Sequence, residues 1–203
     1  MNRSFIITSN EYRNLSLLKY DGPGAGYHKV ILDRIIDRLE FMQQRHSQVL
    51  AVHLIVRYPE SIIAPENNDC FQYFIEEYRR FLALSGFDPH YIWVRERHNS
   101  PNPHYHLLLL LNGNEIRYYR SPDKANQLWY FVLQRNFSIS IPTSGLIHIV
   151  PAEYGDYGVM LRRGDEAIKR WAVQWFSYFA KLNTKGDAGR GVREFGSSIL
   201  RKN

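Results

Sequence analysis

HYIWVRERHNSPNPHYHLLLLLN, residues 90–112, decides the fold. Apolar and aromatic residues crowd its start, an unbroken leucine run fills its end, and Asn99, Pro101, Asn102 and Pro103 lie between. Proline excludes helix from that middle part. The stretch is therefore expected to be a hairpin, with strands over 90–98 and 104–112 joined by residues 99–103. Side chains alternate across a strand, so His104 and His106 share one face while Tyr105 takes the other. With symmetric closure, paired residue numbers sum to 202, which sets Glu96 opposite His106 and His98 opposite His104. Opposed Cβ atoms lie about 4.5–5.5 Å apart, so two imidazoles and a carboxylate would converge and leave coordination positions open. A slip of one residue would send Glu96 to the opposite face. Histidines at a hairpin mouth also serve as simple hydrogen-bond partners of turn backbone. The carboxylate on the neighbouring strand is what favours a metal.

Working outward, VLAVHLIVRY (49–58) is apolar on both faces and reads as a central strand ended by Pro59. LIHIV (146–150) is a further strand, and RSFIIT (3–8) a short one. Ile31, Ile35, Leu39 and Met42 recur at helical spacing, which predicts a helix over 28–46. Asn67, Asn68 and Asp69 cap a second helix running to about 85, striped by Phe71, Phe74, Tyr78 and Phe81 and stopped by Gly86. Ser121 and Pro122 open a third, to about 137, and a last helix is expected over 165–183. The glycines of DGPGAG (21–26) form a turn and no phosphate loop, because no GxxxxGK[ST] pattern follows. Helices interspersed with hairpin strands give an α+β class, with a mainly antiparallel central sheet of about five strands flanked by helices. A single domain is expected over 1–203, with 184–203 a basic, flexible C-terminal segment.

The chain has 203 residues, 44% of them apolar, so a sizeable core is available. The lone Cys70 excludes a disulfide framework and any multi-cysteine zinc site. No apolar run approaches the roughly 20 residues that span a bilayer, and the start lacks the pattern of a secretory leader. A cytoplasmic protein without a membrane partner is expected. Lys and Arg number 26 against 20 acids, and the net charge of +6 favours a polyanion as partner. Of that charge, +4 falls in residues 178–203, where Lys185, Arg190 and Arg193 are the expected phosphate contacts.

At about 100° per residue, Ile168, Trp171, Ala172, Trp175 and Phe179 form a buried stripe on the last helix. Tyr178 sits at its edge and Lys181 beyond it, on the solvent side. A boundary tyrosine can rest its ring on the sheet while its hydroxyl points into a cleft. A helix-edge Tyr with a snorkelling Lys is the ordinary alternative. His53, His90 and His148 lack acidic company in the sequence and read as packing or surface histidines.

Glu96-Arg97-His98 followed by His104-Tyr105-His106-Leu107-Leu108-Leu109 resembles the His-hydrophobic-His core of HUH endonucleases, the rolling-circle replication initiators and relaxases. More narrowly, Trp93 to Arg97 with the His104–His106 triplet, and Tyr178-Phe179-Ala180-Lys181 with Phe195-Gly196-Ser197-Ser198, resemble the replication initiation proteins of filamentous phages (inoviruses) and of prophages. The likeness covers about residues 45–200.

The resemblance implies an HUH-like fold and a metal-dependent, site-specific DNA endonuclease, a nickase and strand transferase that starts rolling-circle DNA replication. It implies Mg²⁺ or Mn²⁺ on Glu96, His104 and His106. It further implies attack by Tyr178 on a DNA phosphate to leave a 5′-phosphotyrosyl adduct and a free 3′-hydroxyl, with Lys181 stabilising charge. Its partner would be single-stranded or supercoiled DNA at a replication origin, and a host helicase would unwind, since the chain has no ATP-binding loop. Gln174, Trp175 and Leu182 stand where a second tyrosine would lie one turn away, so a one-tyrosine enzyme is implied. Tyr154 and Tyr157 are rival nucleophiles. Two other readings compete: a non-catalytic nucleic-acid-binding regulator on the same fold, and a metal-dependent hydrolase in which water attacks and Tyr178 is incidental.

Overall fold

The structure, a computed structural model, describes residues 5–22, 24–97, 100–119, 122–138, 145–153, 157–185, 188–189 and 191–201. Two small ribbons come first: Ile6–Ile7 (β1) pairs with Tyr27–His28 (β4), and Glu11–Tyr12 (β2) with Leu15–Ser16 (β3). Helix α1 (Lys29–Arg45) follows, then β5 (Gln48–Arg57), α2 (Asp69–Leu84), β6 (His90–Glu96) and β7 (His104–Asn112). The chain continues through α3 (Asp123–Phe137), β8 (Ile147–Ile149), β9 (Val159–Arg162), α4 (Glu166–Phe176) and β10 (Phe195–Ser197). The central sheet has six strands in the order β10-β6-β7-β5-β8, with β9 also on β5, and each of its pairings is antiparallel. The class is α+β, as the interspersed pattern predicted, with one strand more than the five expected.

The leucine run of β7 explains the layering. Leu107, Leu109 and Leu111 pack with Tyr105 against Phe71, Phe74 and Tyr78 of α2 and Trp129 and Val132 of α3. Leu108 and Leu110 turn the other way, onto Ile31, Ile35 and Leu39 of α1 and Val173 and Phe176 of α4. A strand covered on both faces needs no polar alternation. Burying each leucine contributes about 1.5–3 kcal/mol. The α1/α4 face carries His104, His106 and Glu96. Among the described residues no helix is long and apolar enough to cross a membrane.

Two expectations need correction. The last helix does not run over 165–183: α4 ends at Phe176, a 3₁₀ turn covers Ser177–Ala180, and Lys181 is extended before a second turn at Leu182–Thr184. Ser177 Oγ donates back to the Gln174 carbonyl (2.6 Å) and accepts from Leu18 N (2.8 Å), competing with helical bonding. Lys181 then bridges Tyr27, and Leu182 N donates to the Gly26 carbonyl (3.1 Å). Gly26, at φ +154°, allows this approach, since a Cβ there would lie 3.0 Å from the Leu182 side chain and 3.3 Å from the Ile7 carbonyl. The helix wheel therefore does not apply beyond Phe176.

Within the C-terminal segment expected to be flexible, residues 195–198 are held on the sheet. β10 lines the sheet edge with Phe195 opposite Val94, and Ser198 exchanges bonds with Tyr91 while Arg38 of α1 grips its carbonyl.

Candidate functional site

The hairpin closes with paired numbers that sum to 200, so Glu96 faces His104, and Val94 faces His106. Glu96 is thus two residues from its expected partner. The cause lies in the connection: Arg97 leaves the ladder to donate to the Pro101 carbonyl (3.0 Å) and to Glu66 (3.2 Å). Asn102 ties the loop down on the Pro59 (3.1 Å) and Ile62 (2.7 Å) carbonyls. An even displacement preserves side-chain parity, so Glu96, His104 and His106 still share a face. His98, expected opposite His104, lies outside the described residues.

Glu96 Oε2 stands 3.2 Å from His106 Nε2 and 3.8 Å from His104 Nε2, and one donor atom from each residue lies within 4.8 Å of the others. Glu96 and His106 are only 3% and 5% exposed. Burial alone would raise the Glu96 carboxyl, but the His106 hydrogen bond and the Lys185 charge prevail and hold it down at about 2. Burial, with the charge of His106, pushes His104 down to about 4 against the opposing pull of Glu96. At neutral pH the set therefore offers an ionised carboxylate and a neutral His104 imidazole, which suits a divalent cation. Two nitrogens beside one oxygen favour Mn²⁺ over Mg²⁺ in intrinsic affinity.

His53 is the residue the sequence reading missed. Its Nε2 lies 2.9 Å from His106 Nδ1, and its ring packs on Phe179 at 4.8 Å between centroids. Burial first, then the His106 charge, lowers its pKa well below the ordinary value, so it is neutral. A neutral His53 accepting from His106 Nδ1–H would leave Nε2 of His106 free for a metal, the usual device for orienting a histidine ligand. Its partner sits on β7 while it sits on β5, a pairing that no local pattern announces. His90, by contrast, packs on Phe41 as expected.

Lys185 is placed differently from its expected role on the tail. Its side chain is fully buried, with Nζ 2.7 Å from Glu96 Oε1. It is therefore not an exposed phosphate contact, because the buried carboxylate claims it. Arg193 is exposed as expected, its carbonyl accepting from Asn68 (2.8 Å), while Arg190 lies outside the described residues. Lys185 divides the carboxylate, taking one oxygen while the other faces the imidazoles.

Tyr178 packs its ring on that of His106, with centroids 5.4 Å apart and planes at 65°. Burial, then the Glu96 charge, raises its phenol above the ordinary value. The Lys181 ammonium lies 4.7 Å from the Tyr178 ring centroid and 4.8 Å from that of Tyr20. So the nucleophile candidate, its cation and the His/Glu cluster meet on one face. Tyr157 is exposed ahead of β9, and Tyr154 lies outside the described residues.

The buried and half-buried histidines predict acid sensitivity. His28, His53, His90, His104 and His148 all have lowered pKa values, with burial the leading cause in each. Below about pH 6.5 the unfolded chain takes up protons that the fold refuses, so stability falls with acidification. For His104 the loss runs from 6.5 down through about 4, and for Glu96 from 4.5 down through about 2. Metal-free protein should melt at steadily lower temperature from pH 7 to pH 4, and His104→Gln should flatten the upper part of that curve. An unchanged slope in the variant would contradict the neutral, half-buried state of His104.

An antiparallel sheet covered by helices, presenting a carboxylate and two imidazoles beneath a tyrosine, defines an α+β protein with a candidate metal centre. By sequence the chain belongs to the YagK/YfjJ C-terminal domain family, whose model matches residues 8–198. No curated protein matches it.

Proposed function

We propose that this protein is a metal-dependent DNA nicking and strand-transfer enzyme of the HUH type, a single-tyrosine endonuclease that initiates rolling-circle replication in a phage or prophage. The observation that carries the reading is the packing of Tyr178 on His106, one of three clustered metal-ligand candidates, with Lys181 over the tyrosine ring.

Glu96, His104 and His106 would hold Mn²⁺ or Mg²⁺, which polarises a phosphodiester when bound. The chain's own groups do the rest. Tyr178 Oη attacks phosphorus, the bond from phosphorus to the 3′ oxygen breaks, the phenol proton leaves to solvent, and the 3′ oxygen takes up a proton. Burial and the Glu96 charge both oppose a phenolate at Tyr178. A cation held by Glu96 would offset the second of these, and Lys181 offsets the charge that develops. His53 keeps the His106 ring in one orientation throughout. The resulting 5′-phosphotyrosyl bond conserves the energy of the phosphodiester, so a 3′-hydroxyl can later attack it and rejoin the strand.

The competing regulator reading draws on Lys185, whose ammonium already satisfies Glu96 without a metal. A covalent adduct separates the two. Wild-type protein incubated with Mn²⁺ and single strands from its own replicon's origin should give a species of shifted mass on a denaturing gel, sensitive to both nuclease and protease. No such species on any origin strand would hand the case to the regulator, and metal-dependent cleavage without it would favour the hydrolase.

A further inference from the structure

Between α1 and the edge strand β10 lies a surface hollow lined by Arg34, Arg193, Glu194, Phe195, Gly196 and Ser197. We propose that this hollow is a phosphate subsite for single-stranded nucleic acid, in which the Arg34 and Arg193 guanidinium groups hold one backbone phosphodiester beside the Glu96–His104–His106 cluster. The identity of the polymer rests on the function proposed above, whereas the anion site stands on the hollow itself.

Three features support it. First, two like charges share the hollow. Burial and then the Arg193 charge lower the Arg34 pKa. An anion between the two guanidinium groups relieves this repulsion and meets planar donors suited to phosphate oxygens. Glu194, the acid in the lining, also pulls the His28 and Lys185 values upward, against the larger effect of burial.

Second, the site is built before any ligand arrives. Arg34 Nη1 donates to Ser197 Oγ (3.1 Å) and its guanidinium lies 5.0 Å from the Phe195 ring centroid, so its fork is held in place. Beneath it, Arg38 donates to the Arg34 carbonyl (3.0 Å) and also grips that of Ser198. Gly196 lies flat on Trp93, where a Cβ would come within 2.7 Å of the indole.

Third, the hollow adjoins the cluster. Phe195 pairs with Val94, and Val94 pairs with His106. Two strand spacings, about 10 Å, separate these positions, so one extended backbone can occupy both. The choice of a single strand over a duplex follows from the function proposed above.

The test measures binding of a labelled single strand by anisotropy in EDTA, so that cleavage plays no part. Arg34→Gln and Arg193→Gln should each weaken binding severalfold on every sequence tried. Each should also flatten the log-log salt dependence by roughly 0.7. Lys124→Gln, at the exposed start of α3, should change neither. Arg34→Lys, which keeps the charge but loses the fork, should fall between. Excess inorganic phosphate should compete with the strand on wild type and lose that effect in Arg34→Gln.

Arg193 is exposed, so its variant carries the test should Arg34→Gln fold poorly. Unchanged affinity and slope in both glutamine variants overturn the subsite, whatever the adduct assay gives. Weakened binding in both, with no adduct from wild type, keeps the subsite and removes the nicking activity.

Discussion

Tyr178→Phe is expected to keep the fold and the Mn²⁺ affinity while losing covalent attachment to single-stranded DNA altogether. The substitution removes one oxygen and leaves the ring that meets His106 at 5.4 Å, so packing on the metal face should survive. What disappears is the only atom able to bond phosphorus from that position. The expected loss is at least three orders of magnitude in adduct formed, since no other group substitutes for an absent nucleophile. Lys181→Ala is expected to slow attachment by about two orders of magnitude, the usual effect of removing one group that stabilises developing charge. A denaturing gel with origin single strands and Mn²⁺ reads both. An adduct persisting in Tyr178→Phe would move the nucleophile to Tyr157 or Tyr154. Equal rates for Lys181→Ala and wild type would leave Lys181 as no more than a cation resting between two aromatic rings.

How much of this could be read from the sequence depended on how local each determinant was. Alternation set His104 and His106 on one face, and the assumed pairing put Glu96 beside them, a parity that survived the two-residue change in register. The leucine run announced a strand buried on both sides, and the stripes of α1 and α2 were legible because helical spacing is a local pattern. The register itself was not legible, because side chains of Arg97 and Asn102, rather than the ladder, close the loop. The end of α4 was hidden for a different reason. Ser177 and Lys181 find their partners at Leu18 and Tyr27, far back in the chain, and periodicity carries no trace of them. His53 looked isolated because its partner arrives through the pairing of β5 with β7. Counting charges likewise made Lys185 a phosphate contact, although a buried carboxylate had claimed it. Apart from the short Arg97–Pro101 bond, the missed contacts are long-range and polar, whereas the apolar layers follow from local pattern.

Replacing both imidazoles tests the metal assignment most severely. His104→Ala with His106→Ala leaves Glu96 as the sole remaining member of the cluster, and Lys185 already holds one of its oxygens at 2.7 Å. Calorimetry should show Mn²⁺ affinity reduced by at least a hundredfold, and cleavage should vanish with it. The variant's stability must be followed alongside, because removing His106 strips the buried His53 Nε2 of its partner at a cost of about 1–3 kcal/mol. His53→Phe separates the two effects. It keeps an aromatic ring against Phe179 and leaves both ligand candidates in place, but removes the group that orients His106. Loss of an orienting partner typically costs 10–100-fold in metal affinity, so this variant should fall between wild type and the double variant. Unchanged Mn²⁺ affinity in the double variant would show that these histidines are not ligands, and the cluster would then be a buried hydrogen-bond network organised by the Glu96–Lys185 ion pair.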